Sequence, residues 1–112
     1  MPHGEPLVVS FAGTLNVERQ DEVRATLMST YEVRDVVIDL SGVDSMDSSA
    51  LSALLVKRRI RKEQGFSPAR LVGLAPGVQR VFALASLDRV WPIFDTIAEA
   101  MASFPSRGEH RR

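Results

Sequence analysis

The chain has 112 residues, 45% apolar and 25% charged, which is the size and balance of one globular domain with a core of its own. It contains no cysteine, so disulfides, thiolate metal sites and thiol nucleophiles are excluded. Lys plus Arg and Asp plus Glu number 14 each, leaving no bulk charge to hold the chain on nucleic acid or an anionic membrane.

In chain order, the opening Met-Pro-His-Gly-Glu-Pro lacks the basic and then apolar pattern of a signal peptide, and no apolar run reaches the length of a membrane span. A cytoplasmic protein is expected, with no membrane insertion. Leu7 to Phe11 reads as a strand closed by Gly13. Glu18 to Thr30 turns helical, with Val17, Val23, Leu27 and Met28 on one face and Asn16 as its cap. Asp35 to Leu40 is a second strand, and its consecutive Val-Val-Ile predicts burial on both faces, as in a parallel sheet covered by helices. Ser41 to Asp47 reads as a polar loop. A helix then runs from Ser48 to about Gln64, with Leu51, Leu54, Leu55 and Ile60 inward and Gly65 as its stop. Ala69 to Leu74 is a strand, and Pro76 opens a helix carrying Val78, Val81, Phe82 and Leu84. Strand character returns around Val90-Trp91 and Ile93-Phe94, both aromatics being read as core, and a last helix from Thr96 to Phe104 turns Ile97, Ala100 and Met101 inward. Residues 6–104 form the domain, and 105–112 form a disordered tail. Strands alternating with helices predict an α/β layered fold.

The stretch from Val36 to Leu55 carries the chemistry. It is a buried strand, an acidic and hydroxyl-rich segment, and a helix opening at Asp47-Ser48-Ser49. In α/β folds functional groups gather where strands end and helices begin. A serine in the first turn lies beside the backbone N–H groups and the positive end of the helix dipole, so a phosphate there is tolerated. Phosphorylation of Ser48 would add a charge of about −1.5 to −2 next to Asp44 and Asp47 and would oppose a partner that docks on the neutral hydroxyl. Taken alone, Asp-Ser-Ser is also an ordinary helix cap.

The segment Asp39-Leu-Ser-Gly-Val-Asp-Ser-Met-Asp-Ser-Ser-Ala-Leu51 resembles the signature of bacterial STAS domains of the anti-sigma factor antagonist type, in which Asp-Leu-Ser ends a strand and Asp-Ser-Ser-Gly-Leu opens a helix. Gly13 to Asn16, Ala75 to Phe82 and Leu87 to Val90 resemble further family segments in the same order, so that the likeness spans residues 7–103. The resemblance implies a mixed β-sheet of four to five strands with about four helices packed mainly on one side. It implies Ser48 as phosphoacceptor, an anti-sigma factor with serine-kinase activity as partner, release of a sigma factor when the unphosphorylated protein binds, and a serine phosphatase that resets the cycle. Asp44, Asp47, Ser49, Ala50 and Asn16 would line the partner surface. Ala50 replaces the family's glycine, and Thr14 and Asn16 replace acidic residues. The short segment before Leu7 leads us to expect a reduced first edge strand, which leaves homodimerisation open.

Several patterns are assigned bland roles. Lys57 to Lys62 reads as a solvated helix end, not a nucleic-acid patch, because no aromatics are interleaved. Asp39, Asp44 and Asp47 have no accompanying histidine and read as caps and turn formers, so neither a metal nor another cofactor is expected. His3 and His110 lie in the tails, and Ser48 has no base of the Ser-His type, so an enzyme is not expected. The alternative function is a non-enzymatic STAS subunit of a stress-signalling scaffold or of a membrane transporter complex.

Overall fold

Val36, Val37 and Ile38 fix the centre of the fold. They open strand β2 (Val36–Met46) and are at most 1% exposed, so both faces of this strand are covered. The structure, a computed structural model, describes residues 6–30 and 35–105. The expected edge strand before Leu7, both histidines and the tail beyond Pro105 lie outside the described residues.

Four parallel strands lie in the order β1-β2-β3-β4, with β1 at Leu7–Leu15, β3 at Arg70–Val72 and β4 at Ile93–Phe94. Helices α1 (Gln20–Met28), α2 (Ser48–Glu63), α3 (Pro76–Leu84) and α4 (Ile97–Ala102) connect and cover them. This is the STAS-like α/β arrangement that the sequence implies. The alternation of β2 divides the interior in two. Val36, Ile38 and Leu40 join Val23, Leu27, Leu51, Leu54, Val78 and Phe82 in the main core, so α1, α2 and α3 share one face. Val37 and Val72 turn to the other face, where Ala100 and Phe104 cover them. Arg70 fastens this smaller layer, as its Nε donates to Ser103 Oγ at 2.8 Å and its guanidinium lies 4.1 Å above the Phe104 ring. Trp91 is buried and meets Phe82 edge-on at 5.5 Å. Among the described residues no helix is long and apolar enough to cross a membrane.

Several expectations are corrected. Ser41 to Met46 is not a loop: β2 continues through it, and β1 passes Gly13 to end at Leu15. The register shifts twice, between Ser10 and Ala12 and between Gly13 and Thr14, each time with one more residue on β2 than on β1. These bulges move the inward positions to Val43 and Met46 and disguise the strand's period of two. Val17, Met28 and Ile97 are exposed because their helices are short and begin or end at the surface. Val90 and Trp91 form no strand, and β4 is confined to Ile93–Phe94.

The basic run is also not a solvated helix end. Spacing of four residues turns Lys57 and Arg61 onto the inner face of α2, where they are 3% and 0% exposed. Arg61 Nε donates to the Ser67 carbonyl at 3.1 Å, and its guanidinium stands 5.4 Å from the Phe66 ring centroid. Burial, and then the charge of Arg61, push the Lys57 ammonium down to about 8.

Gly73, just past β3, has φ +76°, and a Cβ there would fall 2.7 Å from Ser41 Cβ on the neighbouring strand. Gly73→Ala is expected to cost about 2 kcal/mol or more in urea unfolding, from backbone strain plus this collision. A change near zero would show that the two strands can separate without penalty. For Lys57, the ordinary value of 10.5 applies to the unfolded chain. Between about pH 8 and 10.5 the unfolded chain therefore binds more protons, and stability should rise with pH. Below that window the full cost of the buried charge persists. Lys57→Met should abolish the rise, and parallel stability curves for the two proteins would contradict it.

Candidate functional site

Where β2 ends, Asp47 adopts an extended conformation, with φ −111° and ψ −174°, and caps α2. One carboxylate oxygen accepts from the Ser49 amide at 2.9 Å, the Ser49 hydroxyl at 2.6 Å and the Ala50 amide at 3.3 Å. The other accepts from the Val17 amide at 3.1 Å. The backbone of Asp47 also donates to the Leu15 carbonyl at 3.1 Å. A single residue thus joins the end of β1 through its backbone, and the 3₁₀ turn Val17–Arg19 and the start of α2 through its side chain. The Ser49 hydroxyl, and then the backbone amides, outweigh burial and hold the Asp47 carboxyl below its ordinary 3.8.

Ser48 is the first residue of α2 and is exposed. Its neighbour Ser49 is half-buried and turned toward Asp47. Asp44 is exposed on the strand leading in. Asn16 is half-buried and caps the 3₁₀ turn, accepting from the Glu18 amide at 3.1 Å. Asn16, Asp47, Ser48 and Ser49 therefore meet at one end of the sheet, as the sequence suggested. Ala50 does not join them on the surface: helical geometry points it into the main core at 3% exposure. The first-turn amides of Ser49 and Ala50 are also occupied by Asp47, so they are not the open anion donors that a serine at a helix start suggests. A charge on Ser48 would be supported by water and the helix dipole instead.

Arg19 was not singled out by sequence, where it reads as an ordinary surface position. Its guanidinium donates to the carbonyls of Ala12 at 2.6 Å and Thr14 at 3.2 Å and forms a two-point ion pair with Glu22, the closer contact being 2.7 Å. It shapes the turn that carries Asn16. The one legible signal was the three-residue spacing of Arg19 and Glu22. Asp39 lies further back on β2, where its carboxylate accepts from Ser41 and Ser10. Burial alone would raise it, but these hydrogen bonds prevail and hold it below the ordinary value.

A four-stranded parallel sheet covered by four helices, with α2 opening at the end of its most buried strand, matches the fold of STAS proteins. Residues 2–100 match the profile of that family, described as STAS domain, and the chain belongs to it. It is 26% identical over 102 residues to the anti-sigma F factor antagonist of Paenibacillus polymyxa, covering 88% of this chain and 86% of that protein. Among solved structures, an anti-sigma-factor antagonist (STAS) domain protein from Planctomyces limnophilus superposes with a TM-score of 0.78 at 27% identity, over 85% of this chain and 86% of that one. The anti-sigma factor antagonist SpoIIAA in its unphosphorylated form gives 0.74 at 23% identity, over 89% and 88% of the two chains. The phosphorylated form of SpoIIAA, a Bacillus cell fate determinant, gives 0.68 at 22% identity, over 91% and 93%. The two SpoIIAA likenesses bear on the fold.

The cap makes a specific prediction. Carboxyl NMR titration should place the Asp47 midpoint below 3.8, and Ser49→Ala should move it upward because the strongest bond to the carboxylate is lost. The stability that this cap confers should be present above the unfolded value and fade as pH falls through the folded midpoint. An unmoved midpoint in Ser49→Ala would remove Ser49 as the cause.

Proposed function

We propose that this chain is an anti-sigma factor antagonist whose binding to an anti-sigma factor with serine-kinase activity is switched by phosphorylation of Ser48. The observation that carries the reading is the contrast between two adjacent hydroxyls. Ser48 faces solvent at the start of α2, whereas Ser49 is half-buried and engaged by Asp47 at 2.6 Å. A kinase can therefore reach Ser48 without breaking the cap. The names of the relatives support the partner class, and the existence of one relative in phosphorylated and unphosphorylated forms supports the switch.

In the transfer, the Ser48 hydroxyl oxygen bonds to the γ-phosphorus of ATP while the bond to the β-phosphate oxygen breaks. ADP leaves, and the hydroxyl proton passes to a base of the kinase. The product places about −1.5 to −2 charges on α2 beside Asp47, where a partner that docks on the neutral hydroxyl would meet them. Two unit charges 4 Å apart repel by about 1 kcal/mol in water and about 4 kcal/mol at an effective dielectric near 20. Each 1.4 kcal/mol is about a tenfold change in affinity, so repulsion suffices to release the partner with no change of fold. Unphosphorylated protein holds the anti-sigma factor and leaves the sigma factor free. A serine phosphatase restores that state. Asp44, Asp47, Ser49 and Asn16 frame the docking surface, and the protein acts by binding, not by catalysis.

The test combines the protein, ATP, Mg²⁺ and the anti-sigma kinases of its own genome, with the phosphate located by mass spectrometry. Phosphate is expected on Ser48 in the wild type and absent from Ser48→Ala. Ser48→Asp should weaken binding by about tenfold or more in calorimetry. Phosphate on Ser49 instead, or full affinity of Ser48→Asp, would refute the switch.

A further inference from the structure

A cleft of about 660 Å³ opens between α3 and β4, away from the Ser48 hydroxyl but at the same C-terminal end of the strands. Leu74 and Phe82 form its floor, Pro76, Ile93 and Phe94 line it nearer the solvent, and Arg80, Asp88 and Asp95 supply its charges. Phe82 is fully buried and Leu74 is 8% exposed, so this surface belongs to the rigid core, while the charged residues are exposed. The start of α3 packs on the strand that leads to Ser48: a Cβ at Gly77 would lie 3.5 Å from the Asp44 carbonyl oxygen. The cleft and the phosphoacceptor thus belong to one continuous face.

We propose that this cleft is the second contact point of the same partner, and that it seats an apolar side chain flanked by a lysine or arginine. The inference rests on the function proposed above and adds the chemistry of the partner's segment. The argument is charge complementarity. Within the lining Asp88 and Asp95 stand against Arg80, and exposed Asp44 lies beside the start of α3 on the way to Ser48. A segment carrying positive charge is drawn to such a lining, and an apolar anchor gains by leaving water for the Pro76, Ile93 and Phe94 surface. The volume lies within the roughly 300–1,000 Å³ typical of sites that enclose a bound group. The cleft does not conflict with the phosphate switch. Repulsion acts at Ser48, whereas the basic segment docks elsewhere on the face.

The two sites therefore separate kinetically. Ala83→Trp places an indole in the cleft from an exposed position of α3, and Asp88→Lys combined with Asp95→Lys reverses two exposed charges. Phosphorylation of Ser48 by the cognate anti-sigma kinase should show KM raised about tenfold in each variant, with kcat within about twofold of the wild type. The penalty of the charge reversals should shrink at high salt. Wild-type phosphorylation with unchanged KM in both variants would overturn the cleft proposal and leave the Ser48 reading standing. A wild type that no cognate kinase phosphorylates would remove both. A homodimer, seen by sedimentation, that dissociates in the variants while KM is unaffected would assign the cleft to a second copy and overturn the proposal.

Discussion

The acceptor capacity of one carboxylate organises the end of this molecule that carries Ser48. Asp47 takes hydrogen from four donors drawn from two separate parts of the chain, residues 17 and 49–50. Without it, the start of α2 and the turn after β1 would each have to satisfy its amides in water, and their relative position would be set only by packing further down. Because the acceptor is spent on Val17, Ser49 and Ala50, the residue between cap and helix body is left facing outward. The exposure of Ser48 is thus a consequence of what its neighbours require.

The sheet gives this arrangement reach. β3 pairs with β2 only over Val37 to Asp39, whereas β1 accompanies β2 as far as Met46. The second half of β2 is therefore a two-stranded ribbon projecting beyond the wider sheet, steadied on one side by Val43 and Met46 in the main core and by the start of α3 near Asp44. A docking protein can approach the tip without disturbing Val36 to Ile38, where the fold has its deepest burial. The same division explains why α4 stands apart from the other helices. It covers Val37 and Val72, on the face opposite the one that supports α2.

Much of this was legible in the residues. Val36-Val37-Ile38 announced a strand covered on both faces, and Pro76 and Gly65 marked a helix start and a helix stop that the structure places at α3 and just beyond α2. The grouping of Asn16 with Asp47, Ser48 and Ser49 came from the family resemblance. What escaped were features set by neighbours distant in sequence. The strand character of Ser41 to Met46 depends on pairing with β1 across two bulges, which no periodicity within the segment reveals. The inward turn of Lys57 and Arg61 depends on where the face of α2 lands, and their charge argued the other way. Ala50 looked like part of a surface because its neighbours are, yet helical phase sends it to the core. The role of Arg19 required the carbonyls of Ala12 and Thr14 to converge on it, a geometry that exists only once β1 has curled into the turn.

The burial of Lys57 also bears on how the protein can be handled chemically. The chain has two lysines, Lys57 and Lys62. The first is enclosed, while Lys62 stands in solvent. Among side-chain amines, acylating dyes and crosslinkers should therefore select Lys62, some 14 residues and about 21 Å along α2 from Ser48. The helix thereby offers an attachment point at its far end from which a fluorophore can report on association without occupying the face proposed for docking.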